Sequence, residues 1–262
     1  MKRRGETAQD LATLAVIHPP CEKCTKPQPL CVCDRIEVLE TGVRVVILQH
    51  PQEDDKVLGT AKLVTLSLPK AEIRVGLSWA SLAQAVGDDK AKNERWAVLA
   101  GAKLPGAVSS SPSGAEAEEA DAEREANSPA KASDASPPLG PPGTVKLLDR
   151  HGAPLVLAKH KLDGILVLDG TWSQAKTLWW RNPWLLKLPR IALVPREPSL
   201  YGKLRKEPRR DWVSTLEAIA DVLPPLGEAE SVRDTLRKLL RTMLQRARDA
   251  APSHKKPDPI RW

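Results

Sequence analysis

The sequence predicts an α/β fold in which a mostly parallel sheet is covered by helices on both faces. Short apolar runs rich in β-branched residues alternate with segments of helical periodicity, which is the pattern of a buried parallel sheet. Hydrophobic residues make up 41% of the 262, enough for a sizeable core in one large domain or two small ones. With eight Trp, one Tyr and no Phe, that core must consist mostly of Leu, Val, Ile and Ala.

The first part of the chain is predicted to contain three strands and one helix. The strands are expected at residues 44–50, 71–77 and 95–100, each a short apolar run. The helix is expected at residues 55–68, where apolar side chains recur at helical spacing, and Pro69 ends it.

The same alternation returns later in the chain. Residues 164–169 form a predicted strand that ends in an acid, and a helix follows at about 172–180. Another strand at 190–194 is followed by a helix at 212–223.

The last predicted helix, residues 231–249, is amphipathic. Its apolar face carries Val232, Leu236, Leu239, Leu240, Met243, Leu244 and Ala247. The rest of its surface carries the cations Arg233, Arg237, Lys238, Arg241, Arg246 and Arg248.

Residues 106–143 interrupt this pattern. The stretch is rich in Ala, Ser, Pro, Glu and Gly without periodicity, so we expect a disordered insert between two parts of the α/β domain, 41–105 and 144–250. Seven acidic and two basic residues give the insert a net charge of −5, so the remainder carries +12. Residues 1–40 are expected to form an N-terminal segment, and residues 251–262 a tail.

All four cysteines fall in that N-terminal segment, as Cys21, Cys24, Cys31 and Cys33. Such clustering in a chain that we expect to be cytoplasmic favours a metal site. Zn²⁺ prefers four thiolates in a tetrahedron, and C-x2-C is a common half of such a site. Two redox disulfides or free thiols are the alternatives. Four protein ligands leave no open position, so we predict a structural zinc.

The excess of basic residues makes nucleic acid a candidate partner. The formal net charge is +7 and the sequence pI is about 9.3. No apolar run approaches the roughly 18 residues of a membrane span, so no membrane partner is expected. No apolar segment follows the basic residues 2–4, so we expect no secretory signal and predict a cytoplasmic protein.

Polar residues follow two of the predicted strands, where open α/β sheets bind ligands. Asp169-Gly170-Thr171-Trp172 follows one strand, and Gln49-His50-Pro51-Gln52-Glu53 follows the other. The alternative is that Asp169 is a turn residue, Thr171 a helix cap and His50 a turn histidine.

Three later features also allow two interpretations. Residues 201–210 contain five basic residues. They would either bind a phosphate or carboxylate group or belong to a solvated loop. The segment Ser214-Thr215-Leu216-Glu217 begins a helix, where plain capping would explain it. Four tryptophans, Trp172, Trp179, Trp180 and Trp184, either stack on bases or pack in the core.

Six motifs occur in one order over about residues 20–223. They are Cys21-x2-Cys24 with Cys31-x-Cys33, Leu48-Gln49-His50-Pro51-x-Glu53, Asp169-Gly170-Thr171-Trp172, Asn182-Pro183-Trp184, Arg205-Lys206-x-Pro208 and Ser214-Thr215-Leu216-Glu217. Together they resemble the DTW-domain family, the tRNA-uridine aminocarboxypropyltransferases. The insert departs from the family pattern, as does Val57-Leu58-Gly59-Thr60, where an Asn-Thr pair is expected.

The resemblance implies transfer of the 3-amino-3-carboxypropyl group of S-adenosylmethionine to N3 of a uridine in tRNA, with release of methylthioadenosine. It also implies a SPOUT-like domain whose C-terminal trefoil knot forms the cofactor pocket. Asp169 would act as a base toward N3 or orient the uridine. Arg205 would hold the carboxylate of the transferred group.

The resemblance further implies two sets of binding residues. S-adenosylmethionine would contact Leu168, Asp169, Gly170, Thr171, Trp172, Pro195, Tyr201, Arg205, Ser214, Thr215 and Glu217. The tRNA would contact His50, Glu53, Lys203, Arg205, Arg209 and Arg210. We expect further tRNA contacts from the basic last helix and from the region near the cysteines.

Two other functions remain open at this point. A SPOUT-type methyltransferase would use the same pocket to pass a methyl group to RNA. A non-catalytic, zinc-containing RNA-binding protein would need only the cysteines and the positive charge.

Overall fold

The architecture comes from a computed structural model that describes residues 13–53, 57–100, 140–157, 161–202, 204 and 213–250. Within these residues a seven-stranded sheet is formed by β1 (Arg44–Gln49), β2 (Ala71–Val75), β3 (Trp96–Ala100), β4 (Val145–Leu148), β5 (Pro154–Leu155), β6 (Gly164–Asp169) and β7 (Arg190–Leu193). The helices are α1 (Ala61–Ser67), α2 (Leu82–Val86), α3 (Trp172–Arg181), α4 (Thr215–Val222) and α5 (Glu230–Ala250).

The sheet is mostly parallel, as the sequence predicts. Its strand order is β2-β1-β6-β3-β7-β4-β5. The first five strands in that order pair in parallel, whereas β4 is antiparallel to both β7 and β5. The sequence analysis did not predict β4, β5 or α2. Each has five residues or fewer, which is too short for a clear periodic pattern.

Helices cover both faces of the sheet. Side chains of α1, α4 and α5 share the larger core cluster with Val45 and Ile47 of β1. Side chains of α2 and α3 share a second cluster with Val46 and Leu48, which point to the opposite face because side chains alternate along a strand. The elements that follow the neighbouring strands β1 and β6 therefore cover opposite faces. Such a switch point leaves a crevice at the carboxyl ends of the strands.

Two predicted helices begin later than expected. The helix predicted at 55–68 begins at Ala61 in the structure, after Gly59 and Thr60. The helix predicted at 212–223 begins at Thr215, because the Ser214 side chain accepts a hydrogen bond from the Glu217 N–H and so caps the helix.

The basic surface predicted for α5 is partly wrong. Arg233 and Arg237 are buried, with 8% and 1% of their surfaces exposed. The Arg233 guanidinium lies 2.8 Å from Asp221, and the Arg237 guanidinium lies 2.8 Å from Glu197. The two arginines can be buried because each forms an ion pair with one of these acids, and a buried charge requires a partner.

The cysteine segment packs on the same core as the sheet. Cys24, Leu30 and Val32 are fully buried in the larger cluster. Arg246 of α5 donates hydrogen bonds of 2.9 and 2.8 Å to the two carboxylate oxygens of Asp34. This bidentate pair fixes the segment to α5.

Most of the predicted insert and the whole predicted tail lie outside the described residues. Of the insert, residues 140–143 are described, and the Gly143 N–H donates to the Val194 carbonyl at 2.9 Å. Among the helices of the described ranges, none has the length and apolar character needed to cross a membrane.

Candidate active site

Asp169 lies in the crevice between β1 and β6 and is held through both carboxylate oxygens. It is the register partner of Gln49 in the adjacent parallel strand. Both side chains point to the face covered by α1, α4 and α5, since alternate residues of a strand share a face. Gln49 Nε2 donates to Asp169 Oδ2 at 2.7 Å, and Thr215 Oγ1 donates to Asp169 Oδ1. Two strands and the start of α4 thus fix one carboxylate.

The turn after Asp169 serves both the crevice and the start of α3. The Thr171 side chain accepts from the Gln174 N–H, and the Gln174 side chain accepts from the Thr171 N–H, which is a capping box. The Thr171 N–H also donates to Glu53 Oε1 at 3.1 Å. A Cβ at Gly170 would lie 2.9 Å from the Gln174 Cβ, so only glycine fits this close approach.

His50 and Glu53 form the opposite side of this turn. The His50 N–H donates to the Asp169 carbonyl at 3.0 Å, and His50 Nδ1 accepts from the Gln52 N–H at 3.3 Å. Glu53 is buried, with 8% of its surface exposed. The structure therefore gives His50 the contacts of a turn histidine, beside a buried carboxylate.

Several predicted binding residues make hydrogen bonds that hold together the segments next to the crevice. Glu217 is fully buried and accepts hydrogen bonds from the Leu200 N–H and from the Ser199 and Ser214 hydroxyls, at 2.8 to 3.1 Å. The Tyr201 hydroxyl is buried and donates to the Leu58 carbonyl. These contacts hold the loop after β7 against the start of α4.

The remaining predicted residues are dispersed. Pro195 is half-buried just after β7, and Leu168 is half-buried against the second core cluster, on the opposite face of the sheet from Asp169. Lys203, Arg205, Arg209 and Arg210 lie outside the described residues, as does the side chain of Trp172.

The structure sorts the described tryptophans into two kinds. Trp179 and Trp184 are buried, with 2% and 8% of their surfaces exposed, and the Trp184 indole N–H donates to the Trp79 carbonyl at 2.8 Å. Trp180, in contrast, has 59% of its surface exposed. Packing therefore explains the first two, and Trp180 is available for stacking.

The four cysteines fit one zinc ion. Their Sγ atoms all lie within 4.8 Å of one another, with Cys21–Cys33 at 3.7 Å and Cys24–Cys31 at 3.8 Å. A tetrahedron with Zn–S bonds of about 2.3 Å has S···S edges of about 3.8 Å. The N–H groups of Cys24 and Lys23 lower the pKa of the Cys21 thiol to about 6. Burial and the neighbouring thiols raise the pKa of Cys33, so four thiolates require a cation among them.

The sequence matches a known family over nearly its whole length. A family model described as the DTW domain matches residues 18–248. The chain belongs to the DTW-domain family.

The relatives of this DTW protein carry a common name. The tRNA-uridine aminocarboxypropyltransferase 2 of Macaca fascicularis is 25% identical over 86% of this chain and 62% of its own length. The proteins of the same name from Mus musculus and Drosophila melanogaster are 25% and 27% identical, over 90% and 85% of this chain and 67% and 72% of their own lengths. This chain thus spans about three fifths of the macaque relative. No solved structure matches it significantly.

One buried residue that lines a cavity beside Gln49 was not predicted from the sequence of this DTW protein. Lys26 is 3% exposed and lines a cavity of about 260 Å³ together with Gln49 and Glu53. Burial lowers the pKa of Lys26 to about 8, against the opposing effect of the negative charges of Cys24 and Asp169. A lysine shortly after a C-x2-C half-site is expected to be exposed to solvent, and nothing in the local sequence indicates that it is buried.

Proposed function

We propose that this chain transfers the 3-amino-3-carboxypropyl group of S-adenosylmethionine to N3 of a uridine in tRNA, in the cytoplasm, and releases methylthioadenosine. The observation that carries the proposal is Asp169, fixed through both oxygens in the crevice between β1 and β6. The shared name of the relatives supports the reaction type.

Asp169 has the chemistry that this transfer requires. N3 of uridine is a weak nucleophile until its proton leaves, and a positioned carboxylate accepts that proton or orients the ring. Gln49 and Thr215 each donate one hydrogen bond to Asp169, so the carboxylate cannot rotate away. Each oxygen still has a lone pair for the N3–H group.

The rest of the catalytic effect is positioning. The sulfonium of the donor is already activated, so the reacting carbon needs no metal. N3 must approach that carbon in line with the leaving sulfur, and correct orientation alone contributes a large part of such a rate enhancement. The zinc ion would hold the cysteine segment in place and take no part in the transfer, because all four of its positions are filled by protein ligands.

We also infer that the domain is SPOUT-like, with a trefoil knot after β7. The contact between Thr215 and Asp169 supports this, because it brings the C-terminal part of the chain to the end of β6. The Glu217 hydrogen bonds to residues 199 and 200 make the loop after β7 a wall of the same crevice. A structure with S-adenosylhomocysteine bound at this loop would test the inference.

The exposed face of α3 supports tRNA as the partner. Ser173, Lys176 and Trp180 are exposed at helical spacing, on a helix that begins beside Asp169. The positions of Ser173 and Trp180 are about 10 Å apart along the helix, at a rise of about 1.5 Å per residue. A nucleotide next to the target uridine could stack on Trp180 while Lys176 contacts a phosphate.

The test is mass spectrometry of tRNA nucleosides after incubation with S-adenosylmethionine. We expect an aminocarboxypropyl adduct on uridine and release of methylthioadenosine. A methyl adduct with release of S-adenosylhomocysteine would instead identify a methyltransferase. Binding of tRNA without any product or donor binding would identify a non-catalytic RNA-binding protein.

A further inference from the structure

The cavity of about 260 Å³ lies where the cysteine segment meets the carboxyl ends of β1 and β2. Gln49 and Val75 close these strands, Glu53 follows β1, and Lys26 comes from the cysteine segment. Two charged side chains in this wall are more than nine-tenths buried, Lys26 at 3% and Glu53 at 8% exposed. A wall that carries both a lysine and a glutamate offers charge-assisted hydrogen bonds of either sign, which suits a ligand that is itself charged.

The cysteine segment fixes the place of Lys26. Thr25, the residue before it, has a left-handed backbone with φ of 60°, an uncommon conformation for a residue with a branched side chain. The Thr25 N–H donates to the Cys21 carbonyl, and the Cys21 N–H donates to the Lys26 carbonyl, each at 2.8 Å. This tight turn directs the chain inward, so the segment that holds the zinc ligands also forms one wall of the cavity.

The wall also contains Lys62, which is exposed. The two buried charged residues, Lys26 and Glu53, match one part of the donor. The α-amino-acid end of S-adenosylmethionine carries a carboxylate and an ammonium on the same carbon. Lys26 has the charge to bind the first, and Glu53 has the charge to bind the second. Uracil, in contrast, is neutral. The cavity is also slightly below the roughly 300–1,000 Å³ of pockets for drug-sized ligands, so it suits a head group better than a whole nucleoside.

We propose that this cavity is the subsite for the α-amino-acid end of the donor, with Lys26 binding its carboxylate and Glu53 its ammonium. The proposal rests on the proposed function, because it takes S-adenosylmethionine as the donor. Lys26 then makes the contact that the family resemblance gave to Arg205, and Glu53, which the resemblance gave to tRNA, contacts the donor instead. The proposal also makes the cysteine segment part of the donor site, since a zinc ion bound by the four cysteines would hold the turn that carries Lys26.

Comparing two ligands separates the contribution of the head group to binding from that of the nucleoside. S-adenosylhomocysteine has the α-amino-acid end, and methylthioadenosine lacks it. We would titrate each calorimetrically into the zinc-loaded wild-type protein and into Lys26→Met, which keeps the side-chain length and removes the charge. The wild type should bind S-adenosylhomocysteine more tightly. Lys26→Met should weaken that binding by roughly 10- to 100-fold, the range of a charge-assisted pair, and leave methylthioadenosine binding within about twofold.

Lys23→Met is the matched control. Lys23 is an exposed lysine of the same segment, so the change in net charge is the same and both affinities should stay within about twofold. A metal assay and thermal unfolding check that the zinc segment is intact in each variant. Glu53→Gln is a second variant in case Lys26→Met does not fold. Its side-chain oxygen can still accept the Thr171 N–H, and it should selectively weaken S-adenosylhomocysteine.

The outcomes distinguish the two proposals. Equal losses for both ligands in Lys26→Met, or no loss, would overturn the head-group subsite while leaving the proposed function in place. Equal wild-type affinity for the two ligands would do the same. A wild-type protein that binds neither ligand would overturn the proposed donor, and the subsite with it.

Discussion

Two clusters that each contain buried charged side chains lie in this molecule and differ in what those side chains contact. The helix cluster consists of Glu197, Glu217, Asp221, Arg233 and Arg237. The crevice cluster consists of Lys26, Gln49, Glu53, Asp169 and Thr215. In the helix cluster, guanidinium and carboxylate groups meet directly at distances down to 2.8 Å. In the crevice cluster, neutral donors hold Asp169, and the side chains of Lys26 and Glu53 line a cavity.

The difference shows that burial of ionisable groups does not by itself mark a functional site. Arg237 and Glu217 are the more buried pair, at 1% and 0% exposed, yet their hydrogen bonds are made within the fold, Arg237 to Glu197 and Glu217 to the loop after β7 and the start of α4. The side chains of Lys26 and Glu53, in contrast, line a cavity into which a ligand could fit. We therefore expect the arginines of the helix cluster to act mainly on stability, and the crevice cluster to determine ligand binding and transfer.

The largest effect should come from removing the zinc site, which would disrupt the crevice cluster through Lys26. Cys24→Ser should lose the metal and lower the free energy of unfolding by about 5 kcal/mol or more, because a structural site contributes folding free energy directly. A metal assay and denaturant unfolding measure the two effects, with Glu22→Ser, an exposed neighbour, as the control. Reductively purified wild-type protein without stoichiometric zinc would contradict the prediction.

A change in the helix cluster should affect stability without affecting binding. Arg237→Ala removes the guanidinium that lies 4.0 Å from the buried Glu217 carboxylate and leaves Asp221 with Arg233 alone. It should cost about 3–5 kcal/mol of unfolding free energy. Arg241→Ala, an exposed arginine of the same helix, should cost at most about 0.5 kcal/mol. If Arg237→Ala lost donor affinity while its free energy of unfolding stayed unchanged, the helix cluster would have a role in ligand binding.

Asp169→Asn should give the reverse pattern. Turnover should fall by roughly 10²-fold or more, the scale of a lost general base. The fold should tolerate the change with a loss below about 1 kcal/mol, because the Gln49 amide can turn so that its oxygen accepts from the new amide. Single-turnover transfer and unfolding are measured on the same preparation. Near-normal turnover would remove Asp169 from proton transfer and leave positioning alone.

The smallest effect concerns the cations that the core does not use. Arg241→Ala should lower the slope of log affinity for tRNA against log salt concentration by about 1, as the loss of one phosphate contact requires. Arg246 already binds Asp34, so Arg246→Ala should change the slope by less. Filter binding of tRNA between about 50 and 200 mM salt measures both slopes. An equal change of slope in the two variants would mean that an arginine paired within the protein still contacts RNA as much as an unpaired one does.

The sequence by itself determined the layers of the fold and the motifs of the site. Apolar runs such as Val45–Leu48 and Ile165–Leu168 predicted buried strands, because the hydrophobic pattern is local information. The motif around Asp169 and the four clustered cysteines were equally local. The family itself followed from the order of these motifs.

Only the tertiary structure decided which charges are buried and what faces them. Strand β6 lies between β1 and β3, so Asp169 meets Gln49, which is 120 positions away in the chain. Arg233 and Arg241 look alike in an amphipathic helix, and only the fold places Asp221 against the first. Lys26 becomes part of the cavity wall because a turn of the cysteine segment places it beside Gln49, the last residue of β1. In each case the deciding contact is long-range, and the pairing of distant segments leaves no local pattern in the sequence.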